Sequence, residues 1–502
     1  MPPHDTLSWP PRATVTVPIL AVVLGVAYAA WSIIYNLYFS PLSRIPGPKL
    51  WAVSKIPNSL MRASGHSVQK VLDLHKKYGS VVRLAPDEVS FVDPGAWNDT
   101  MGHRKSGQQE NGKHPVFYGL SGDAVIGADR EKHGRLRRLL SHGFSAQSMI
   151  DQQPLIRQYV DKLIQRLHEK CGAGATPVDM EAWYNYTTFD IIGDLTFGEP
   201  FGCLNNSGYH PWVALIASTM KHSANLYALR RVFPRLESLV SRMLTMTMSG
   251  SLAQHMEVTR TKMQKRLDLG MYRPDFTEAM IRRQGAEKLT FGELQDNASL
   301  LMIAGSETTA TVLTGVTYYL LKNPEILAKL TEEVRTSYTS EDEIDLVSVQ
   351  KLTYMLAVLN ETLRIYPPIP TAQPRVVPSG GSVVCEKFLP AGTTVGLWFW
   401  PIHHYPGNFS MPDDFIPERW MGDERFVDDR TDAFQPFSFG SRNCIGRNLA
   451  YAEMRMILAR IVWNFDLRPT DESLTWMERN EAFNLWEKPA LNVHLTPRKR
   501  EE

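Results

Sequence analysis

One cysteine constrains this chain more than any other residue. Cys444 lies in Phe437-Ser-Phe-Gly440-Ser-Arg442-Asn-Cys444-Ile-Gly446, directly before an apolar run with helical character, Ile445 to Phe465. A thiol at the start of a helix meets unpaired backbone N–H groups and the positive end of the dipole, and both favour the thiolate. Gly440 and Gly446 leave room for a flat cofactor to approach the backbone. Arg442 offers a cation for a carboxylate on that cofactor. Such a site suits a metal that takes an anionic, electron-rich sulfur ligand. The competing reading is a buried structural cysteine.

The chain has 502 residues and no linker, low-complexity tract or internal repeat that would divide it. One large helical body with a smaller strand-rich part is expected, mainly α with minor β. A net charge of +1 argues against nucleic acid as a partner. Four cysteines without a CxxC pair form neither a disulfide framework nor a zinc site, and suit a reducing compartment.

No charged side chain occurs between Arg12 and Arg44. Val15 to Tyr35 is long enough to cross a bilayer, and Tyr28, Trp31, Tyr35, Tyr38 and Phe39 crowd its second half as interfacial aromatics do. Ala27-Tyr-Ala29 resembles a signal-peptide cleavage site, but the apolar run continues through Ile33, Ile34 and Leu37, which favours an uncleaved anchor. Arg44, Lys49, Lys55 and Arg62 follow it, so the large domain is expected on the cytosolic side. The expected boundaries are a lumenal segment 1–14, a transmembrane anchor 15–37, a proline-rich hinge 38–50 and a catalytic domain 51–502. Six Asn-x-Ser/Thr sequons, Asn98 and Asn360 among them, would stay unmodified in the cytosol.

Val68 to Tyr78 reads as an amphipathic helix. Val81–Leu84 and Glu88–Val92 read as strands paired around Ala85-Pro-Asp87. Residues 100–122 lack periodicity and read as a loop over a pocket. The best helix begins at Thr290-Phe-Gly-Glu293, a capping box, and stops at Asn323-Pro324. Its middle, Ala304-Gly-Ser-Glu307-Thr308-Thr309, holds a glycine and three hydroxyls, poor choices for helix stability that need a local reason. Ala304 and Gly305 would let a planar ligand or O2 lie against the helix. Glu361 and Arg364, at i and i+3, share a helical face ending at Pro367-Pro368. His403-His404, placed on a strand, point oppositely and read as structural. Leu215–Leu229, Met302–Ala304 and Ile369–Ala372 are further candidates for an apolar pocket lining.

Phe-x-x-Gly-x-Arg-x-Cys-x-Gly resembles the haem-binding signature of the cytochrome P450 superfamily, with every fixed position present. The resemblance implies haem b with Cys444 as axial ligand and Phe437, Gly440, Arg442 and Gly446 around it. It implies that Thr308 hydrogen-bonds O2, that Glu307 supplies protons through water, and that Glu361, Arg364 and Arg419 form a structural network. Arg375 resembles a propionate-binding arginine. His133-Gly-Arg-Leu-Arg137 resembles the Trp-x-x-x-Arg motif, with His in place of Trp. The basic face of Arg135, Arg137 and Arg138 is either solvated or a dock for an acidic electron donor.

The expected activity is membrane-anchored monooxygenation of an apolar small molecule, using O2. The chain has no P-loop, dinucleotide-binding glycine turn or His-Glu-x-x-His, so electrons are expected from an NADPH–cytochrome P450 reductase at the endoplasmic reticulum membrane. The hinge and the 133–145 block resemble those of filamentous-fungal microsomal members that tailor secondary metabolites, including isotrichodermin hydroxylase-like enzymes. A polyketide- or terpenoid-derived substrate is then expected. The alternatives are detoxification of small aromatics, a haem–thiolate isomerase or dehydratase, and a haem sensor without turnover.

Overall fold

The helix Phe291–Lys322 organises the chain around it. A computed structural model describes residues 13–105, 107–119, 121–233, 254–281 and 288–499. The side chains of 13–18, 213–220 and 222 lie outside that description, as do residues 1–12 of the expected lumenal segment and part of the 215–229 pocket candidate. Thr290 Oγ1 accepts from the Glu293 N–H and the Glu293 carboxylate accepts from the Thr290 N–H, each at 3.1 Å, so the expected capping box forms. The stop also falls where expected, because Pro324 opens the next helix, Pro324–Ser337. At about 1.5 Å per residue this central helix is roughly 48 Å long and runs through the interior. Leu301, Met302, Ala310, Leu313 and Val316 on its various faces are all buried.

The helix Met180–Phe197 lies along the central helix, capped by Asp179, whose carboxylate accepts from the N–H groups of Glu181 and Ala182. Arg447–Asn464 packs on the central helix, on Ala146–Lys170 and on Pro324–Ser337. The helix after Cys444 therefore begins three residues beyond the cysteine.

Val81–Ala85 and Glu88–Phe91 pair antiparallel, as expected, with a register irregularity between Arg83 and Ala85. Glu88–Phe91 then pairs in parallel with Thr394–Leu397, which pairs antiparallel with Arg375–Val376. The fifth strand is Gly112–Lys113, in register so that Lys113 faces Arg375. Residues 100–122 are thus more than a loop. They hold this strand and the short helix Pro115–Tyr118, with Pro115 at its start and the His114 ring accepting from the Phe117 N–H. A smaller sheet sets Asn492–Pro497 between Pro177–Asp179 and Phe465–Pro469, tying the C-terminal end to the start of the Met180–Phe197 helix.

His403 and His404 are on a helix, Phe399–His404, and not on a strand. Neighbours on a helix diverge by about 100° and do not oppose each other. Both rings are buried, His403 Nδ1 at 3.2 Å from the Arg364 carbonyl and His404 Nδ1 at 3.0 Å from the Trp400 carbonyl, which agrees with a structural role.

Ala13–Ile34 is helical and continues as a π-helical turn, Tyr35–Phe39. Ile19–Phe39 is long and apolar enough to cross a membrane, and none of it is buried. The proline connector after it is fastened to the body. The Arg83 N–H donates to the Pro46 carbonyl at 2.8 Å, and the Arg83 guanidinium donates to the Asn36 carbonyl at 2.8 Å.

Candidate active site

The Cys444 loop is held by its own backbone. The Cys444 N–H donates to the Phe437 carbonyl at 2.8 Å, and Gly440–Arg442 forms one 3-10 turn between them. Gly440 has φ +74°, and a Cβ there would lie 2.0 Å from the Met101 carbonyl oxygen. Its glycine is required by the neighbouring backbone, not by a cofactor. A Cβ at Gly446 would meet only Phe144 and the Cys444 sulfur, at 3.7 and 4.0 Å, so Gly446 leaves space beside the thiol. The Phe437 ring packs on Tyr451, 5.2 Å between centroids.

Cys444 is accessible, yet protein crowds it enough that desolvation pushes its thiol pKa up. The Gly446 N–H and the charges of Arg137 and Arg447 pull the other way and lose. The thiolate expected from a helix start is therefore not favoured by the polypeptide alone. Cys444 precedes the helix, and the dipole effect is confined to the first turn. A bound metal ion would take the place of the proton.

Around this loop lies a cluster of cations. Arg442 donates to the Ala128 carbonyl at 2.8 Å and to Glu110 Oε1 at 2.6 Å, while its buried Nε–H has no acceptor. Arg375 is 2 % exposed and its Nε–H is likewise without an acceptor. Lys113 is close enough to both that its own pKa is driven well down, by burial first and then by their charges. His133, its pKa lowered to about 4 by burial and then by Arg442 and Arg137, is a neutral ring with one N–H to give. Arg137 donates to the Asn443 carbonyl at 2.6 Å and to its side chain, and so clamps the residue before the cysteine. Arg442, His133 and Arg137 line one cavity of about 430 Å³, with Arg104, Arg130 and Arg138 on its walls and Glu110 the one acid. Arg135 turns away and pairs with Glu293.

Two buried guanidinium donors without acceptors and an excess of positive charge call for anions. The two propionates of a haem fit that demand, and the accessible thiol fits its iron. Lys113 and the buried Tyr118 hydroxyl, also without an acceptor, belong to the same neighbourhood. Sequence reading missed both because they lie in the stretch taken as a loop, and only the pairing of Lys113 with Arg375 reveals them.

On the central helix Ala304 is exposed between buried Met302 and Ser306, so the helix is uncovered at that point. Gly305 does not share that exposure. A Cβ there would stand 2.7 Å from Ile192 Cδ1, so its small size serves the contact with the Met180–Phe197 helix. Thr308 Oγ1 donates to the Ala304 carbonyl at 2.6 Å. Glu307 turns elsewhere and pairs with Lys488, a residue that no sequence signal singled out.

Glu361 and Arg364 are fully buried and joined by two hydrogen bonds of 2.9 and 2.7 Å. Arg419 Nε stands 3.4 Å from Glu361 and its guanidinium also pairs with Asp429. Trp420 Nε1 adds a bond to Glu361 at 2.9 Å. The expected triad is thus five residues, and Arg364 further ties the carbonyls of His403, Pro412 and Asp414.

The cytochrome P450 family model matches residues 45–492. The chain belongs to the cytochrome P450 family. Trichothecene C-15 hydroxylase of Fusarium sporotrichioides is 47% identical over 486 residues, 96% of this chain and 99% of the relative. Cytochrome P450 monooxygenase astA of Talaromyces wortmannii is 45% identical, over 95% of this chain and 96% of its own. Averantin hydroxylase of Dothistroma septosporum is 42% identical, over 94% of this P450 and 90% of its own length. As a P450 the chain is a haem-iron monooxygenase that uses O2 and electrons from a redox partner.

Proposed function

We propose that the Cys444 sulfur would hold the iron of haem b and that this P450 hydroxylates an apolar small molecule as a tailoring step in secondary metabolism, on a polyketide- or terpenoid-derived skeleton. The observation that carries the ligand assignment is the clustering of the acceptorless guanidinium donors of Arg375 and Arg442 around the loop that presents Cys444. The hydroxylase names of relatives that match nearly the whole chain support the reaction class.

Bound haem supplies the reductive activation of O2 and the insertion of one oxygen atom into substrate. Cys444, as a thiolate, would hold the iron, Arg375 and Arg442 would pair with the propionates and His133 would add one N–H, while Arg137 fixes the loop through Asn443. Thr308, released from the Ala304 carbonyl by rotation of its side chain, would donate its hydroxyl proton into the open space beside Ala304. Glu307, once its side chain swings away from Lys488, would replace that proton through water. Electrons come from a membrane-bound NADPH–cytochrome P450 reductase, with Ile19–Phe39 holding the catalytic domain on the cytosolic side of the endoplasmic reticulum.

In Cys444→Ser, the red-shifted band of the reduced carbon-monoxide complex disappears while haem is still retained by the cation cluster. An unchanged band would refute the ligand assignment. Comparison of metabolites from a producing strain with and without this protein identifies the skeleton that accumulates.

A further inference from the structure

Lys488 is a buried cation that moves no proton in the steps above. Its side chain is 2 % exposed. Its ammonium donates to the Glu307 carboxylate and to Thr311 Oγ1 at 3.1 Å, and Glu181 Oε1 stands 3.7 Å away. Glu181 also accepts from Asn185 Nδ2 at 2.6 Å and from the Tyr209 hydroxyl at 3.2 Å. Tyr209 is 42 % exposed. Polar side chains therefore reach from the surface to the central helix in the order Tyr209, Glu181, Lys488, Glu307, with Glu181 and Lys488 in ionic contact at 3.7 Å and the other steps hydrogen-bonded.

One ammonium faces two carboxylates here, so one negative charge would be left over in the interior. Such a set is relieved by taking up a proton. Asp179 and Tyr186 also face Glu181, and no second cation does among the groups acting on it. Burial drives the Glu181 pKa up to about 7, Lys488 opposing and Glu307 and Asp179 adding. A carboxyl poised near neutrality both holds and releases a proton under working conditions.

We propose that Tyr209, Glu181 and Lys488 form the inlet that recharges Glu307 with protons, Glu181 as the reservoir and Lys488 as the relay. This rests on the proton-supplying role given to Glu307 above. Burial is outweighed by Glu307 and Glu181, which hold the Lys488 pKa up, so the two transfers are concerted: as the Lys488 ammonium passes a proton to the Glu307 carboxylate, the Glu181 carboxylic acid replaces it and becomes a carboxylate, and no free amine accumulates. Water at the surface reprotonates Glu181 through the Tyr209 hydroxyl. One proton enters for each one delivered, and no electron moves.

A purely structural ion pair would be served as well by arginine, whose guanidinium does not release a proton. The test uses the full-length holoenzyme with reductase, NADPH and O2 as the sole substrate. O2 then leaves as H2O2 after two electrons and two protons, or as two waters after four of each. In Lys488→Arg and in Glu181→Gln, the water-forming rate is expected to fall about tenfold, with more peroxide per NADPH and a larger solvent deuterium isotope effect. Haem content and thermal stability are measured alongside, and Glu181→Gln keeps the bonds to Tyr209 and Asn185 should the larger Arg side chain disturb folding. Independently of turnover, the infrared titration difference between wild type and Glu181→Gln shows one protonated-carboxyl component that disappears as pH rises through about 7, distinct from that of buried Glu453, which titrates near about 8 in both proteins. Wild-type partitioning in both variants, or the same component in Glu181→Gln, overturns the inlet. Glu307→Gln separates the two ideas: peroxide release there alone sinks the inlet and spares Glu307, whereas unchanged partitioning there sinks the Glu307 role itself.

Discussion

At Thr308 one hydroxyl decides between two partners. In the structure it donates to the Ala304 carbonyl, a bond that does nothing a helix needs. Thr308→Ala should leave stability equal or slightly higher, because Ala is the better helix former. Peroxide released per NADPH should rise several-fold in the reconstituted system. Unchanged partition would remove Thr308 from proton delivery. The haem-loop residues were legible in the sequence, because that signature is short-range. What could not be read was each side chain's partner. Gly440 was read as making room for a cofactor and instead makes room for the Met101 carbonyl. Glu307, expected to supply protons through water, has Lys488 as its partner, 181 residues away in sequence.

Where elements meet, the central helix depends on small residues at its crossings. A Cβ on Gly315 would stand 2.5 Å from Tyr366 Cδ1. That ring has little freedom, being stacked on Trp486 at 4.8 Å with its hydroxyl bonded to Asn480 at 2.8 Å. Gly315→Ala gains about 1 kcal/mol in helix propensity and loses about 1–3 kcal/mol to overpacking. The net effect should be destabilisation, read as a lower melting temperature. A higher one would show that the ring yields. Helix limits were legible from the sequence, since Thr290, Glu293 and Pro324 act on the backbone beside them. Gly112–Lys113 was not, because a two-residue strand has no periodicity and exists only through pairing with Arg375–Val376.

Over the whole molecule, buried titratable groups set the response to acid. Burial holds His75 down to about 4 and His403 to about 3, against an ordinary value of 6.5. The unfolded chain therefore takes up these protons first, so stability is full above about pH 6.5 and falls as pH drops toward those values. Glu88, fully buried, is held at about 2 because Arg231 and Arg62 outweigh the desolvation that opposes them. Its share is present above its ordinary 4.5 and is lost as pH falls from there toward about 2. The melting temperature of the holoenzyme should decline below about pH 6.5 and more steeply below about 4.5. The buried carboxyls Glu181 and Glu453, raised by burial to about 7 and about 8, oppose this decline above about pH 4.5, so a flat profile there would show that they cancel the histidines. The sequence by itself determined the long apolar N-terminal helix, the helical architecture and the family, because each is written in local spacing or unbroken apolar length. Only the tertiary structure decided that Lys113 joins Arg375 and Arg442, that Glu361 gathers Asp429 and Trp420 as well as two arginines, and that Lys488 sits between Glu181 and Glu307. Those groups are far apart along the chain, and burial, which gives their charges most of their strength, exists only once the elements have packed.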